Sequence, residues 1–531
     1  MGRLRVTMTA CLLLAVLLAE MSTAADETVL VTSTAVFPMI PSKQEMKDFQ
    51  VLLSVEAPRK GQRVHTDIIV VHRISSDDKG LFTKASKAIE SICKQLLLME
   101  YKDKDKLTIK IVGPSRDINM PPAVSNLSNP REAKKPMENH SSYSAGGATL
   151  GDLLKVAVTD LDDSGRTGQA ERAGAIIVLT DRSESLGAEV EDLFKDKNYA
   201  VHAVGLGADH NAMALRNLAS ASIGGTYSFV DKDDPGNITA ALAVCVGGHK
   251  KVLVPGTSTL ELKAELGVTI KEIQYGSLRT PNDPTKPIKI GALHAGETKK
   301  ILVSLDLPAE GNPDDKDSGC GAKTLLTASF IRSSNDKAPI TRVVCVERPQ
   351  GVPALGQGPP PSPPVLQQIV RIELVHTIIH EIVNIPAEQV KEKLKIEWDK
   401  FVTTYKYWSG LDIFLGGLHQ EIVTMQKYAS DSPFWVYYIN SWISSHETQR
   451  PTAMGSSDNV VGVFLTQEVN IMVQVAIQVT NNIDIFCQEY GYGELKCVDA
   501  NSLVAVISTV LNENGLLCSN NDANSPLARG S

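Results

Sequence analysis

The feature that most constrains this chain is an apolar run, Ile68, Ile69, Val70 and Val71, that gives way to a polar, serine-bearing loop within VHTDIIVVHRISSDD, residues 64–78. Such a run is a strand buried on both faces, which a parallel sheet covered by helices provides, and open α/β sheets keep their ligands at the carboxyl ends of those strands. Two later stretches complete the pattern: the glycine-rich turn SAGGATLGDLL at 144–154, and AIIVLTDRSES at 175–185, another apolar strand opening into a polar loop. Around them strand-length runs at 67–72, 107–112, 175–180, 200–205 and 226–230 alternate with helical patterns at 81–99, 150–157, 188–194, 212–220 and 237–246. That alternation predicts a doubly wound parallel sheet, interrupted by a polar, proline-rich excursion at 114–144.

Together the three stretches resemble the von Willebrand factor A (vWA) domain. Its metal site joins an Asp-x-Ser-x-Ser loop after the first strand, a Thr in a glycine-rich turn and an Asp after a later strand. With Asp67 set on the acidic residue that begins the family's first strand, Arg73 stands where the site's Asp belongs, Ser75 on the first Ser and Asp77 on the second. Ala148 falls on the Thr position with Thr149 one residue on, and Asp181 on the later Asp. A hard divalent ion such as magnesium takes near-octahedral oxygen ligands, and a guanidinium always carries positive charge, so Arg73 repels the ion whose ligand it replaced. The resemblance therefore implies a degenerate metal-ion-dependent adhesion site: Ser75, Asp77, Thr149 and Asp181 remain as oxygen donors, while Arg73 blocks the site by bridging to Asp181 or Asp77. The alternative is that Asp77 restores a carboxylate and Thr149 the hydroxyl, so that Mg2+ binds. The run at 201–248, from VHAVGLGADHN to AALAVCVGG, resembles the vWA domains of a plant group that includes RING-type ubiquitin ligases and relatives lacking the RING finger. Gly205-Leu-Gly207 taken bare resembles a dinucleotide fingerprint, but Asn211 or Ala212 stands where the third glycine is needed, so no nicotinamide cofactor is expected.

At 531 residues the chain exceeds a single core. Beyond Gly248, strand-length segments at 258–264, 268–274, 286–290, 298–305, 324–332 and 340–347 are separated by turn residues and predict an antiparallel β-sandwich. The lone strand at 49–55 precedes the vWA pattern and is expected to join that sandwich, making the vWA unit (64–248) an insertion into a domain built from 48–57 and 249–348. PQGVPALGQGPPPSPP, 349–364, reads as a proline-rich, semi-rigid linker. From 365 to 531, apolar residues recur at helical spacing, as in Ile369, Ile372, Val375, Ile379 and Ile382, and predict a helical C-terminal region. His376 and His380 stand at i and i+4, a spacing able to hold zinc, but no third ligand is indicated and an ordinary helix surface is expected. SWISSHETQRP, ending at Pro451, resembles the tail of the same plant vWA proteins.

The amino terminus, with Arg3 and Arg5 before an apolar stretch at 11–19 and small residues Ser22, Ala24 and Ala25, reads as a signal peptide over 1–25, too short to span a bilayer. A secreted or secretory-pathway protein follows. On that reading Asn126, Asn139 and Asn237 are glycosylation acceptors, and Cys320 with Cys345, and Cys487 with Cys497 or Cys518, are disulfide candidates whose connectivity stays open. No CxxC pair occurs, which removes RING, zinc-ribbon and thioredoxin-like readings. A net charge of −8 offers no footprint for nucleic acid. His72, His202, His210 and His446 are the histidines open to a catalytic triad, but no G-x-S-x-G elbow exists, so no enzyme is expected. The functional expectation is a secreted, non-enzymatic module that binds a protein ligand, with no cofactor and no membrane span. The alternatives are a metal-dependent ligand-binding protein, or a RING-less adaptor related to the ligases.

Overall fold

The computed structural model describes residues 28–41, 44–75, 79–99, 107–115, 122–127, 148–163, 172–184, 186–231, 235–276, 278–280, 286–309, 323–333, 338–349, 360–405, 412–431, 434–460, 464–489 and 500–513. The chain opens with two antiparallel strands, β1 (Leu30–Ala35) and β2 (Met46–Glu56). It then enters the α/β unit: β3 (His65–Arg73), α1 (Lys79–Met99), β4 (Leu107–Gly113), β5 (Ala123–Leu127), α2 (Leu150–Asp163), β6 (Arg172–Thr180), α3 (Ala188–Asp192), β7 (Tyr199–Leu206), α4 (Ala212–Ser220), β8 (Tyr227–Val230) and α5 (Pro235–Gly247).

In the central sheet β8, β7, β6, β3, β4 and β5 lie side by side in that order, all parallel save the antiparallel edge strand β5. The period-2 geometry of β3 explains its apolar run: Ile68 and Val70 enter a core with α1 and α5, while Ile69 and Val71 enter a second core with α2 and α4. Strand order reverses between β3, whose next neighbour in sequence lies on one side, and β6 on the other. The residues just past these two strands therefore meet at the switch point where such sheets bind ligands. β5 falls inside the stretch read as a polar excursion.

The second unit is antiparallel. After a short 3₁₀ turn (His249–Lys251) come β9 (Val252–Val254), β10 (Thr259–Ala264), β11 (Thr269–Tyr275), β12 (Leu278–Thr280), β13 (Ile288–Lys289), β14 (Leu293–His294), β15 (Thr298–Leu307), β16 (Lys323–Ile331) and β17 (Ile340–Val346). Two sheets, ordered β1-β2-β15-β11-β12 and β13-β10-β16-β17, enclose one apolar core, and β9 pairs with β14. β2 lies between β1 and β15, with Leu53 opposite Ile301. The α/β unit therefore lies in the chain between β2 and the later strands with which β2 shares a sheet, and β1 pairs with β2 at that sheet's edge.

The remaining helices are α6 (Pro363–Glu381), α7 (Ala387–Tyr405), α8 (Asp412–Asp431), α9 (Trp435–Thr448), α10 (Gln467–Glu489) and α11 (Ala500–Glu513). The expected linker ends early, because Ser362 is the N-cap of α6 and Pro363 and Pro364 fill its first turn, where a missing N–H costs nothing. The C-terminal region is also not helical throughout. β18 (Ala453–Val460) pairs in parallel with β8, Met454 opposite Phe229 and Gly455 opposite Val230, and adds a seventh strand to the central sheet. Val469, Met472, Val473 and Ala476 of α10 join the core beneath α1 and α5. No helix among the described residues is long and apolar enough to cross a membrane.

Candidate functional site

Arg73 ends β3 and Asp181 follows β6, so the paired strands bring them to one end of the sheet. Arg73, Ser75 and Asp181 are all buried. The Asp181 carboxylate accepts the Ser75 backbone N–H at 2.9 Å. Burial pushes its pKa above the ordinary carboxylate value, and the Ser75 N–H partly opposes that shift. The Ser75 hydroxyl accepts from Arg182 Nη2 at 2.6 Å, and the Arg182 backbone N–H is turned onto Thr180 Oγ1 at 3.1 Å.

The bridge expected from Arg73 to Asp181 runs elsewhere. Arg73 Nη2 lies 2.8 Å from Glu184 Oε1, and Glu184 Oε2 accepts the Leu150 N–H at 2.8 Å. Glu184 thereby joins the guanidinium to the first turn of α2, where orphan N–H groups and the helix dipole favour an anion. Asp77, the other partner expected for Arg73, lies outside the described residues.

Thr149, expected as a ligand hydroxyl, is the start of α2 instead. Its Oγ1 donates to Asp152 Oδ2 at 2.7 Å, and the Asp152 N–H returns to Thr149 Oγ1 at 3.1 Å, a reciprocal cap. That hydrogen bond holds the Asp152 carboxyl below its ordinary value. The spacing Thr-x-x-Asp was legible as a capping signal. Arg182 and Glu184, one and three residues beyond Asp181, carried no such signal.

The other residues singled out from sequence are dispersed. Asn126 is exposed on edge strand β5. Asn237 is 7% exposed at the start of α5, so burial contradicts its reading as an acceptor. Asn139 lies outside the described residues. Cys345 on β17 is disulfide-bonded; Cys320, Cys497 and Cys518 lie outside the described residues, as does the side chain of Cys487 on α10. His72 packs on Phe82, His202 meets His249, and His210 bonds the Tyr227 hydroxyl. His446 lies 3.0 Å from Glu421. Among the described residues no cluster of three or more His, Cys, Asp or Glu is arranged to hold a metal.

The SWISSHETQRP stretch has a physical role that its sequence did not disclose. Ser444 Oγ accepts the Tyr227 N–H at 2.8 Å, and Ser441 Oγ donates to the Ala453 carbonyl at 2.7 Å, so the serines of α9 stitch β8 to the start of β18. Gln449, left-handed at φ 53°, closes both polar groups of Lys300 on β15, accepting its N–H at 2.9 Å and donating to its carbonyl at 2.8 Å. Arg450 Nε lies 2.7 Å from Glu297, whose carboxylate also holds Lys299 Nζ at 2.8 Å and the His294 N–H at 2.8 Å. Arg450 also donates to the carbonyls of Gly224 at 2.6 Å and Ala292 at 2.7 Å. Burial opposes the charge of Glu297, yet Arg450, Lys299 and His294 hold its carboxyl well below the ordinary range. One short segment thus fastens the central sheet, the sandwich and the C-terminal helices together.

Residues 66–229 match the von Willebrand factor type A domain family. A search of curated proteins returned no match to the chain. Among solved structures, a von Willebrand factor type A protein from Catenulispora acidiphila is similar over 76% of this chain and 89% of its own, at 14% identity and a TM-score of 0.51. The ArnB paralog VWA2 from Sulfolobus acidocaldarius is similar over 79% and 99%, at 15% identity and a TM-score of 0.47. The family match falls on the strands that carry Arg73 and Asp181, and the first of these neighbours shares the fold. The chain therefore contains a von Willebrand factor type A domain, built around β3, β4, β6, β7 and β8.

Proposed function

We propose that this chain is a secreted, non-enzymatic protein-binding module whose vWA strand-end face carries a degenerate metal site and engages its partner without a metal ion. vWA domains are generally protein-interaction or adhesion modules, which supports the binding role. The observation that carries the metal-free reading is the pair Arg73–Glu184 at 2.8 Å, where the family's site needs a free carboxylate. The donors nearby do not fit a hard cation: the Ser75 hydroxyl is engaged by Arg182, and the Thr149 hydroxyl is committed to Asp152. Arg73 stands at one ligand position and Arg182 engages the hydroxyl of another, so guanidiniums, not a metal ion, meet the carboxylates of this face.

Secretion is supported by the leader-like amino terminus and by the bonded state of Cys345. Kinship with RING-bearing plant ligases enters this reading as ancestry only, since no CxxC pair is present for a RING. Calorimetric titration with magnesium, manganese and calcium, on the unaltered chain and on Arg73→Asp, tests the proposal. The unaltered chain is expected to bind none of the three, and the variant to gain measurable affinity. Stoichiometric binding by the unaltered chain refutes the metal-free site.

A further inference from the structure

Away from the strand-end face, a pocket of about 300 Å³ lies where α4 of the vWA unit, β11 of the sandwich, α6 and the end of α9 meet. One wall is apolar, made by Ile372, Val375 and Ile379 on one face of α6. Basic side chains line the pocket as well. Arg216 Nη1 is buried there and has no hydrogen-bond partner among the described residues, a costly state for a charged donor. Arg371 also lines the pocket, its Nε held at 3.0 Å by Gln368 Oε1 and its Nη1 by the His446 carbonyl. His376 and His380, one helical turn apart on the same helix as the apolar residues, also line the pocket, with ring centroids 4.1 Å apart.

Among the lining residues the acid is Glu447. Burial raises the pKa of its carboxyl, an effect that Arg216 partly offsets. Two fixed guanidiniums against one carboxyl leave the cavity electropositive. An apolar wall together with a guanidinium that has one buried nitrogen without a partner is the pattern of a small-ligand site, in which few polar groups orient an otherwise apolar occupant. The histidine pair does not become a zinc site, because no third ligand joins it among the described residues.

We propose that this pocket binds a small monocarboxylic acid with an apolar body, its carboxylate on Arg216 beside the His376–His380 pair and its hydrocarbon part against Ile372, Val375 and Ile379. An inorganic anion would satisfy Arg216 and leave the apolar wall unused. A neutral hydrocarbon would leave Arg216 unsatisfied. Because the lining comes from all three parts of the fold, an occupant binds only when they are assembled, and it stabilises that assembly by mass action.

The test is calorimetric titration of the full chain with hexanoate and benzoate, with hexanamide and benzamide as uncharged counterparts and inorganic phosphate as a third arm. Saturable binding of at least one acid is expected, about tenfold or more tighter than its amide, with a thermal midpoint that rises with acid concentration. Arg216→Gln is expected to weaken the acid about tenfold or more. If that variant fails to fold by circular dichroism, Ile379→Glu, which sets a carboxylate against the incoming one, makes the same comparison. No saturable binding of either acid, equal affinity for acid and amide, tighter binding of phosphate, or unchanged affinity in a folded variant would each overturn the proposal.

Discussion

At the scale of single residues, the chain concentrates charge where it is least hydrated. Glu297 and Arg450 are 4% exposed and Lys299 is 1% exposed, so each depends on the others for the contacts that water would otherwise supply. Arg450→Met removes a cation of similar length and leaves Glu297 with Lys299 as its remaining fixed positive partner. We expect a loss of about 3–5 kcal/mol in denaturant unfolding, the usual consequence of breaking a buried pair from one side. The same junction holds three buried histidines. Burial drives His202 and His249 well below their ordinary pKa and His294 down to about 3, with Arg450 opposing protonation of all three. Glu297 is the acid facing them, and Lys299 a further cation. The unfolded chain takes up these protons at pH 6.5 while the folded chain does not, so their contribution is intact above pH 6.5 and lost as pH falls below it. Glu297, depressed below its ordinary value, adds a loss below pH 4.5. Urea unfolding midpoints are therefore expected to fall from pH 7 to pH 5, with a limiting slope of about 1.4 kcal/mol per pH unit for each histidine; a flat profile would contradict this assignment.

Elements differ in how much of them can be read from the chain. β3 and β6 were legible because a strand buried on both faces needs a continuous apolar run, and nothing else at that length competes with it. β2 was legible as an orphan, and only a sandwich could use it. β18 was not, because Ala-Met-Gly-Ser-Ser-Asp-Asn-Val has neither alternation nor an apolar run and its ladder to β8 is two residue pairs long. The role of the α9 serines carried no signal for a related reason: nothing in a polar stretch tells that Ser441 and Ser444 are buried against strand backbone and Ser445 against the Arg450 carbonyl. At the candidate site, Arg73 was legible as a departure because a charge stands at a ligand position. Its partner Glu184 was not, since which nearby carboxylate a guanidinium chooses depends on where α2 begins. The close approach of α5 to α10 supplies an element-scale prediction. A Cβ on Gly247 would lie 2.9 Å from the Val469 Cα and 3.1 Å from the Met472 Cβ, whereas one on Gly416 in α8 would meet nothing within 4 Å. Gly247→Ala is thus expected to destabilise by about 1–3 kcal/mol through overpacking. Gly416→Ala should stabilise by up to about 1 kcal/mol through helix propensity. Equal shifts in thermal midpoint for the two variants would show that α10 does not clamp α5.

Across the whole molecule the sandwich, the inserted vWA unit and the C-terminal helices share one buried junction. The C-terminal segment crosses back to complete the sheet into which nothing else in its sequence suggested it would fold. That assembly fixes β3 and β6 and with them the geometry past their ends, where an arginine, not a metal ion, neutralises Glu184 at the first turn of α2. The Arg73 side chain is 3% exposed, so admitting a metal would require it to leave a buried ion pair and find water elsewhere. Anomalous diffraction from crystals of the unaltered protein grown with excess manganese tests this most directly. The account predicts no anomalous peak beside Ser75 and Asp181, with Arg73 still on Glu184. A manganese ion coordinated by the Ser75 hydroxyl, with the guanidinium displaced, would contradict it.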